Sequence, residues 1–513
     1  MSHWIVAPVV LPALVAAFIV LAARFDLLLQ RTFSIAATVA LLAIAASLFV
    51  LASDGVPRAY PLGAWPAPFG IVLVLDRLSA LMLLLTQILA LAVVLHAAAG
   101  WDRQGRHFHA LFQFQLMGLN GAFLTGDVFN LFVFFEVLLI ASYGLFLHGA
   151  GAARLVTGFK YVTVNLLAST LFLFAVGTIY AVTGTLNMAD LAVKAGQVGP
   201  EQVGLLRTGV ALLFVVFAVK AALVPLHLWL PGTYGVAAAP VAALFAIMTK
   251  VGAYAILRVH VMVFGGEGST TGGLAEPWVV PAAVVTLALG TLGVLAARTV
   301  QRLAAFAVIA SMGTLLLALA MPGSAATAAT LFYLLHSTLA AGALFLLADL
   351  LAERRGPVRD ELVQAPAFPQ LDLLAGAFFL AAIATTGLPP LSGFLGKVWI
   401  LDVLRAHPTW PWLWAVILAT SLLAVLAFAR AGSLLFWKST AIAPPTAADP
   451  PPWSRPVLPV VATLALVALP ALLAAFAGPV ARGLEATAAQ LHERTAYVEA
   501  VLGPRPVARS AED

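Results

Sequence analysis

The chain has 513 residues, of which 62% are hydrophobic and only 10% are charged, and its mean hydropathy is +1.03. Because a soluble domain carries about 25% charged residues, this composition excludes a soluble protein and predicts an integral membrane protein. The chain lacks cysteine, which excludes disulfides, thiolate catalysis and cysteine-ligated iron–sulfur clusters, and its net charge of +5 is scattered too thinly for a nucleic-acid surface.

About 20 apolar residues cross a bilayer, so the sequence predicts an all-α fold of about fourteen transmembrane spans. Span 1 lacks a basic n-region and a convincing cleavage site, which indicates a retained helix and not a signal peptide. Span 12 is too long for one straight helix and contains Gly387, Pro389 and Pro390, which predicts a broken helix. The predicted spans are 5–23, 33–51, 76–99, 108–125, 128–148, 158–183, 205–230, 240–263, 277–297, 301–320, 325–351, 371–404, 412–436 and 457–477.

The charges of the loops predict the orientation. The loops after odd-numbered spans hold about 14 lysines and arginines, among them Arg103, Arg106, Arg298 and Arg302, and those after even-numbered spans hold about 5. Because cytoplasmic loops carry the excess of basic residues, the odd loops are predicted to be cytoplasmic. Both termini are then predicted to lie outside the cell (inner) membrane.

Four ionisable side chains lie inside apolar runs, namely Glu136, Lys220, Lys250 and Lys397. A charge at the centre of a membrane helix costs about 2.5–3.5 kcal/mol on insertion scales, so each is a candidate functional residue. Three lysines and one glutamate spread over the chain indicate a relay for protons or cations and not a single ligand pocket.

The sequence around the first two candidates favours proton transfer. Glu136 lies about 12 Å into span 5, near mid-bilayer. Lys220 precedes Pro225, which removes one helical hydrogen bond and frees carbonyls near the ammonium group. His227 either extends this path or packs as a structural residue. The alternatives are a structural ion pair for Glu136 and a snorkelling side chain for Lys220.

Two further lysines and a histidine are also candidates, and two aspartates have simpler interpretations. Lys250 is at the middle of span 8, and Lys397 follows glycine- and proline-rich backbone, which is tolerated at depth where it lines a wet cavity. His336 in span 11 is a possible link between them or a structural histidine. Asp127 is predicted to be a turn or helix-start residue and not a relay site, and Asp76 is predicted to pair locally with Arg77 at the interface.

Spans 7 and 12 share a short pattern, seen in Leu223–Trp229 and Leu388–Phe394, of the form Leu-x-Pro-Leu-x-x-aromatic. The two spans are five apart, and a repeat of five helices has inverted topology. The sequence contains no nucleophile elbow, metal-ligand cluster, Walker loop or dinucleotide fingerprint. No catalytic residue, cofactor or metal site is therefore predicted, and the chain is not expected to be an enzyme.

Three segments carry a resemblance to a known family. Gly126–Glu136, Lys220–Pro231 and Gly387–Lys397 resemble the antiporter-like subunits shared by complex I and Mrp-type antiporters. The large members of that family continue past span 14 with extra helices, whereas this chain ends in a short polar tail, 482–513, which favours a smaller member. Lysine at 397, where one complex I subunit carries glutamate, favours the Mrp branch.

The resemblance implies a fourteen-helix fold with two inverted five-helix repeats, spans 4–8 and 9–13, in which helices 7 and 12 are broken. It also implies a polar axis in the membrane plane, and its positions hold Glu136, Lys220, Lys250 and Lys397. The expected segments are 1–107 for the first three helices, 108–263 for the first repeat, 277–436 for the second repeat and 457–513 for the last helix and tail.

Two features of this chain depart from the family pattern. Many relatives carry a histidine in span 10, where this chain has Ser311, so a proton path through that helix must use Ser311 or water, or bypass it. The internal pattern also aligns Lys220 with Thr385 and Lys397 with Gly232, so the two lysines are not equivalent in the repeat.

The expected function is that of one subunit of a multisubunit antiporter that exchanges Na⁺ or another monovalent cation for H⁺. Its partners would be the other subunits and the lipid bilayer. The sequence shows no oxygen-ligand cluster within the spans, so no sodium site is placed. The alternatives are a proton-pumping subunit of a quinone-coupled oxidoreductase, which would use the same residues, and a scaffold with inert ion pairs.

Overall fold

The computed structural model describes residues 2–265, 271, 276–441 and 457–503, and most of these residues are helical. The predicted all-α membrane fold is confirmed. The described residues also contain one antiparallel hairpin of strands β1 (Arg58–Pro61) and β2 (Val72–Leu75). The first ten helices are α1 (Ala7–Leu21), α2 (Leu27–Ala52), α3 (Arg77–Ala97), α4 (Phe108–Leu124), α5 (Val128–Leu147), α6 (Ala152–Thr183), α7 (Met188–Lys194), α8 (Pro200–Lys220), α9 (Trp229–Tyr234) and α10 (Ala239–Phe245). The other ten are α11 (Met248–Ala255), α12 (Glu276–Ala296), α13 (Val300–Leu319), α14 (Ser324–Arg354), α15 (Leu371–Thr386), α16 (Ser392–Leu404), α17 (Trp410–Gly432), α18 (Leu458–Ala475), α19 (Ala477–His492) and α20 (Arg494–Leu502).

Within the described ranges, 11 helical segments are long and apolar enough to cross a membrane. The three predicted spans that fall short of this standard are spans 1, 4 and 12. Helix α1 has 15 residues and α4 has 17, and span 12 is divided into α15 and α16. The exact count of fourteen therefore remains a prediction.

Spans 7 and 12 are broken near their middles, as the prolines predict. Helix α8 ends at Lys220, and the chain leaves the helix until Trp229. Helix α15 ends at Thr386, followed by Gly387 at φ +79°, and α16 begins at Ser392. Each break leaves the last carbonyl groups of a helix without intrahelical partners inside the protein.

Span 8 is also irregular, which the sequence did not predict. It consists of α10, α11 and a π-helical segment, Ile256–Val263, and all of the side chains in its most apolar stretch are buried. Helix α14 is likewise buried over the length that crosses the membrane and packs against α10, α13, α16 and α18. Spans 8 and 11 therefore form the centre of the bundle.

The C-terminal tail is more ordered than its polar sequence predicted. Helices α19 and α20 fold back over the face that holds the even-numbered loops, and α20 packs against β1 and α7. The side chain of Gln490 accepts a hydrogen bond from the backbone N–H of Arg77 at 2.9 Å and donates one to the carbonyl oxygen of Gly55 at 2.7 Å. Residues 504–513 of the predicted tail lie outside the described residues.

Candidate functional site

Helix α6 connects the first two charged residues. The Glu136 carboxylate on α5 accepts a hydrogen bond from the Ser169 hydroxyl, and Nζ of Lys220 donates one to Oδ1 of Asn165 at 2.7 Å. Asn165 and Ser169 are four residues apart on α6, so both lie on one face of that helix. The charge of Glu136 also acts on Lys220. The two charges are therefore linked by neutral side chains of α6 as well as by their mutual electrostatic field.

The polar face of α6 continues by one more turn to Tyr161. The side-chain amide of Asn165 donates to the Tyr161 carbonyl oxygen at 2.8 Å, and the Tyr161 hydroxyl is 2.8 Å from Oγ of Ser142 on α5. The charged residues of the sequence did not predict this row, because its members are neutral. The signal that could have found it is the spacing of Tyr161, Asn165 and Ser169 at i, i+4 and i+8 in an apolar helix.

Gly252 positions Lys250 against the break that follows Lys220. A Cβ at residue 252 would lie 2.6 Å from the backbone nitrogen of Ala221 and 3.0 Å from the carbonyl carbon of Lys220. Real Cβ atoms do not approach backbone that closely, so only glycine lets α11 pack directly on the end of α8. Lys250 lies two residues earlier in the same short helix.

Lys250 is completely buried and has little compensation from the protein. Its relative exposure is 0%, and among the described residues its ammonium group makes one hydrogen bond, to Oγ1 of Thr249 at 3.4 Å. A buried ammonium group with one long hydrogen bond is costly unless water or another charge compensates it.

His336 links α14 to α16, the helix that carries Lys397. It is buried on α14, and its Nδ1 is 2.8 Å from Oγ of Ser392 at the start of α16. The charges of Lys397 and Lys250 both act on this imidazole. A Cβ at Gly393 would lie 2.9 Å from Nε2 of His336, so the absence of a side chain there lets α16 approach the ring.

Lys397 reaches back over the break in span 12. Its Nζ donates to the carbonyl oxygen of Thr386 at 2.7 Å and to Oγ of Ser421 on α17 at 2.8 Å. The side chain passes close to Gly387, where a Cβ would lie 2.7 Å from Cδ of Lys397. The ammonium group thus caps the C-terminal end of α15, where the free carbonyls and the helix dipole favour a positive charge.

The two broken spans therefore carry a lysine at a corresponding place, although the sequence pattern aligns neither lysine with the other. Lys220 belongs to the last turn of α8, the first half of span 7. Lys397 is on the second half of span 12, but its ammonium group binds the end of the first half. The misalignment in sequence is compensated in space by the reach of the side chain.

The other two predicted relay residues have different surroundings. His227 lies in the connection between α8 and α9, half-buried, and its Nδ1 has no hydrogen-bond partner among the described residues. Ser311 on α13 donates its hydroxyl to the carbonyl oxygen of Val308 at 2.7 Å, within its own helix. No hydrogen bond in the described part of the chain joins either residue to Glu136 or to the three lysines.

One predicted local pair is wrong, and a buried charge was missed. Asp76 does not pair with Arg77 but accepts two hydrogen bonds from Arg258, Nη1 to Oδ2 at 2.5 Å and Nη2 to Oδ1 at 2.9 Å. The Arg77 guanidinium donates to the Ser53 carbonyl oxygen instead. Arg258 lies near the end of span 8, where its charge in an apolar run was a signal.

Asp127 caps the start of α5. Its Oδ1 accepts a hydrogen bond from the backbone N–H of Asn130 at 2.8 Å, so its predicted place at a helix start is correct.

Residues 125–424 match the family model described as NADH:quinone oxidoreductase/Mrp antiporter, TM. The chain belongs to this family. It is 41% identical to the D subunit of the probable K⁺/H⁺ antiporter of Rhizobium meliloti, and the alignment covers 98% of both chains. It is 38% identical to the D subunit of the Na⁺/H⁺ antiporter of Bacillus subtilis over 78% of this chain and 80% of that one.

Solved structures of family members have the same fold. A chain of the Mrp complex from Dietzia sp. superposes with a TM-score of 0.86 at 28% identity, covering 98% of this chain and 100% of that one. A chain of respiratory complex I from Thermus thermophilus superposes with a TM-score of 0.77 at 25% identity, covering 98% and 100%. The resemblance to Mrp-type subunits is thereby confirmed, and the chain is a multi-pass membrane subunit of the antiporter type.

Proposed function

We propose that this chain moves protons laterally through the membrane along Glu136, Lys220, Lys250, His336 and Lys397. The complex would use this movement to exchange a monovalent cation for H⁺. The observation that carries the proposal is the position of His336, which is buried on α14 with its Nδ1 2.8 Å from Oγ of Ser392 on α16, the helix that holds Lys397. A titratable imidazole at this position supplies the link that the sequence left open between the two halves.

Each residue has a distinct part in the proposed transfer. Glu136 sets the proton affinity of Lys220 through its charge and through the face of α6. Lys220 and Lys250 pass protons across the contact that Gly252 permits. Lys397, which is only half-buried, exchanges protons with water or with a neighbouring subunit. Among the described residues, Ser311 and His227 make no hydrogen bond to this route, and water would have to connect them.

The transported cation is Na⁺ or K⁺. Relatives that cover most of the chain are named for both ions, with the K⁺/H⁺ relative at 41% identity and the Na⁺/H⁺ relative at 38%. We infer inward movement of protons against outward movement of the cation, with odd-numbered loops in the cytoplasm and both termini outside. The transfer requires only protonation and electrostatic coupling, so it forms no covalent bond.

The test uses everted membrane vesicles from an antiporter-deficient host that expresses this chain with its neighbouring genes. With a respiration-generated pH gradient in place, Na⁺ or K⁺ is added and the dequenching of an acridine dye is followed. We expect dequenching with the wild type, loss of dequenching with Lys220→Ala, and no change with Lys194→Ala, whose ammonium group pairs with Asp190 outside the axis. An assembled wild-type complex that responds to no monovalent cation would favour the redox-driven proton pump.

A further inference from the structure

Helix α4 carries a second row of buried polar side chains, and this row faces away from the Glu136–Lys397 axis. At about 100° per residue, His109, Gln113 and Asn120 lie within about 40° of one another around the helix. The opposite side of α4 bears Gly118 and Gly121, which pack closely on α5, the helix that holds Glu136. The row therefore belongs to the space between α4 and helices α1, α2 and α3.

One end of the row lies at the face of the odd-numbered loops. Asp102, in the connection between α3 and α4, accepts hydrogen bonds from Arg31 at 2.5 and 2.7 Å and shares one of 3.1 Å with Nε2 of His109. Burial alone would raise the pKa of the Asp102 carboxyl, but the bonds from Arg31 and His109 outweigh it and lower that pKa to about 2. The carboxylate that holds His109 is therefore charged at neutral pH.

The row continues through the middle of the helix to the opposite face. The side-chain amide of Gln113 donates to the carbonyl and hydroxyl oxygens of Ser34 at 3.0 and 3.1 Å. Further along, Asn120 accepts from Gln87 at 2.8 Å and donates to the carbonyl oxygen of Pro8 at 2.7 Å. Pro8 is in the first turn of α1, at the face of the even-numbered loops. The row thus extends between the two faces of the membrane region.

Two atoms of this row, and one atom of Gln87 on α3 that bonds to the row, are buried and have no hydrogen-bond partner in the described part of the protein. They are Nδ1 of His109, Oε1 of Gln113 and Oε1 of Gln87. A buried polar atom without a hydrogen-bond partner is destabilising, and in folded proteins such atoms normally bind ordered water. Three such atoms along the row indicate a line of water-binding positions.

A single apolar side chain interrupts the row. His109 and Asn120 are about 16 Å apart along the helix axis, and Leu116, which is completely buried, lies on the same side of α4 between Gln113 and Asn120. We propose that α1–α4 enclose a second, hydrated pathway for protons, separate from the Glu136–Lys397 axis, in which Leu116 forms the dry barrier between two water-filled halves.

Shortening the barrier should open the pathway. In everted vesicles that contain the assembled complex, Leu116→Ser should produce a proton leak several-fold above that of the wild type, with no cation added. Leu316→Ser changes an equally buried leucine, on α13, and should not produce this leak. Adding Gln113→Leu to Leu116→Ser should abolish the leak, because it removes a water-binding side chain next to the barrier.

Two results would overturn the proposal. One is a Leu116→Ser complex that assembles and does not leak, or that leaks equally with Gln113→Leu. The other is a leak that disappears in a Lys220→Ala background, because the protons would then be using the axis. These outcomes are distinct from failure of cation exchange, which the proposed function predicts for Lys220→Ala alone.

Thiol labelling provides a second measurement if Leu116→Ser fails to assemble. The chain contains no cysteine, so Leu116→Cys introduces the one thiol of this chain. A small, water-soluble methanethiosulfonate should label it in membranes and should leave Leu316→Cys unlabelled. Absence of labelling at residue 116 under conditions that label an exposed position such as Lys194→Cys would contradict a hydrated pathway.

Discussion

Among single residues, Asn165 is the neutral side chain on which Lys220 depends most directly. Its Oδ1 accepts the hydrogen bond of the buried ammonium group at 2.7 Å. Hydrogen bonds to charged groups contribute about 1.5–3 kcal/mol, and a buried donor that loses its acceptor carries the full cost of desolvation. We therefore expect Asn165 to matter as much as the charged residues in the proposed proton transfer.

We expect Asn165→Leu to reduce cation/proton exchange by about tenfold or more. The lost hydrogen bond to a charged group is worth about 1.5–3 kcal/mol, and about 1.4 kcal/mol corresponds to a factor of ten. Initial rates of dye dequenching in everted vesicles would measure this change at equal membrane levels. The control is Leu166→Ala, the next residue of α6, which points outward with 62% exposure. A fully active Asn165→Leu complex would show that Lys220 does not need the α6 face.

At the scale of helices, glycines set how closely the broken spans pack. Gly252 permits the contact between α11 and the end of α8, and Gly387 permits Lys397 to fold over the end of α15. Each glycine allows a neighbouring segment to come close to the point where a membrane span is broken. The glycines therefore determine where the lysines lie, although they carry no charge themselves.

Gly387→Ala should impair both stability and exchange. The residue has φ +79°, which is unfavourable for alanine, and the new methyl group would lie 2.7 Å from Cδ of Lys397. We expect a loss of about 1–3 kcal/mol in stability, seen as a lower melting temperature of the purified complex, together with slower exchange.

The matched control for this prediction is Gly376→Ala, in the middle of the same helix. A Cβ at residue 376 would meet nothing within 4 Å, so alanine should be neutral or stabilise α15 by up to about 1 kcal/mol. If both variants behaved alike, the close contact at Gly387 would have no energetic consequence. Gly252→Ala should resemble Gly387→Ala, because its methyl group would collide with backbone.

At the scale of the whole molecule, one buried ion pair ties span 8 to the start of α3. Arg258 is 1% exposed and donates two hydrogen bonds to Asp76. Its guanidinium group also lies 5.5 Å from the ring centroids of Tyr254 and of Tyr497, which is on α20. The pair thus connects α3, the π-helical end of span 8 and the C-terminal helix.

Arg258→Met should be strongly destabilising, because it leaves the Asp76 carboxylate buried without a counter-charge. Removing one partner of a buried pair costs about 3–5 kcal/mol. Thermal melting of the purified complex should show a clear decrease in melting temperature for Arg258→Met and a smaller one for Arg258→Met combined with Asp76→Asn. Equal decreases in the single and double variants would indicate that the charge left on Asp76 is not the cause.

The sequence predicted the membrane class, the broken spans and the charged candidates, because apolar length, proline and buried charge are local signals. It did not predict the neutral row on α6 or the Asp76–Arg258 pair, since these depend on which faces of distant helices meet. Two further misses, the interruption of span 8 and the helical tail, come from packing that overrides local pattern. The domain boundaries and the residue roles remain predictions.

The position of Lys397 also bears on how the two broken spans of this chain should be compared. Its ammonium group binds at the end of α15, eleven residues before its own place in the chain. A long, flexible side chain can thus place its charge at the end of α15 although its backbone lies in the next helix. A residue-by-residue alignment of spans 7 and 12 would therefore record two unmatched lysines, although both ammonium groups lie near the end of the first half of a broken span.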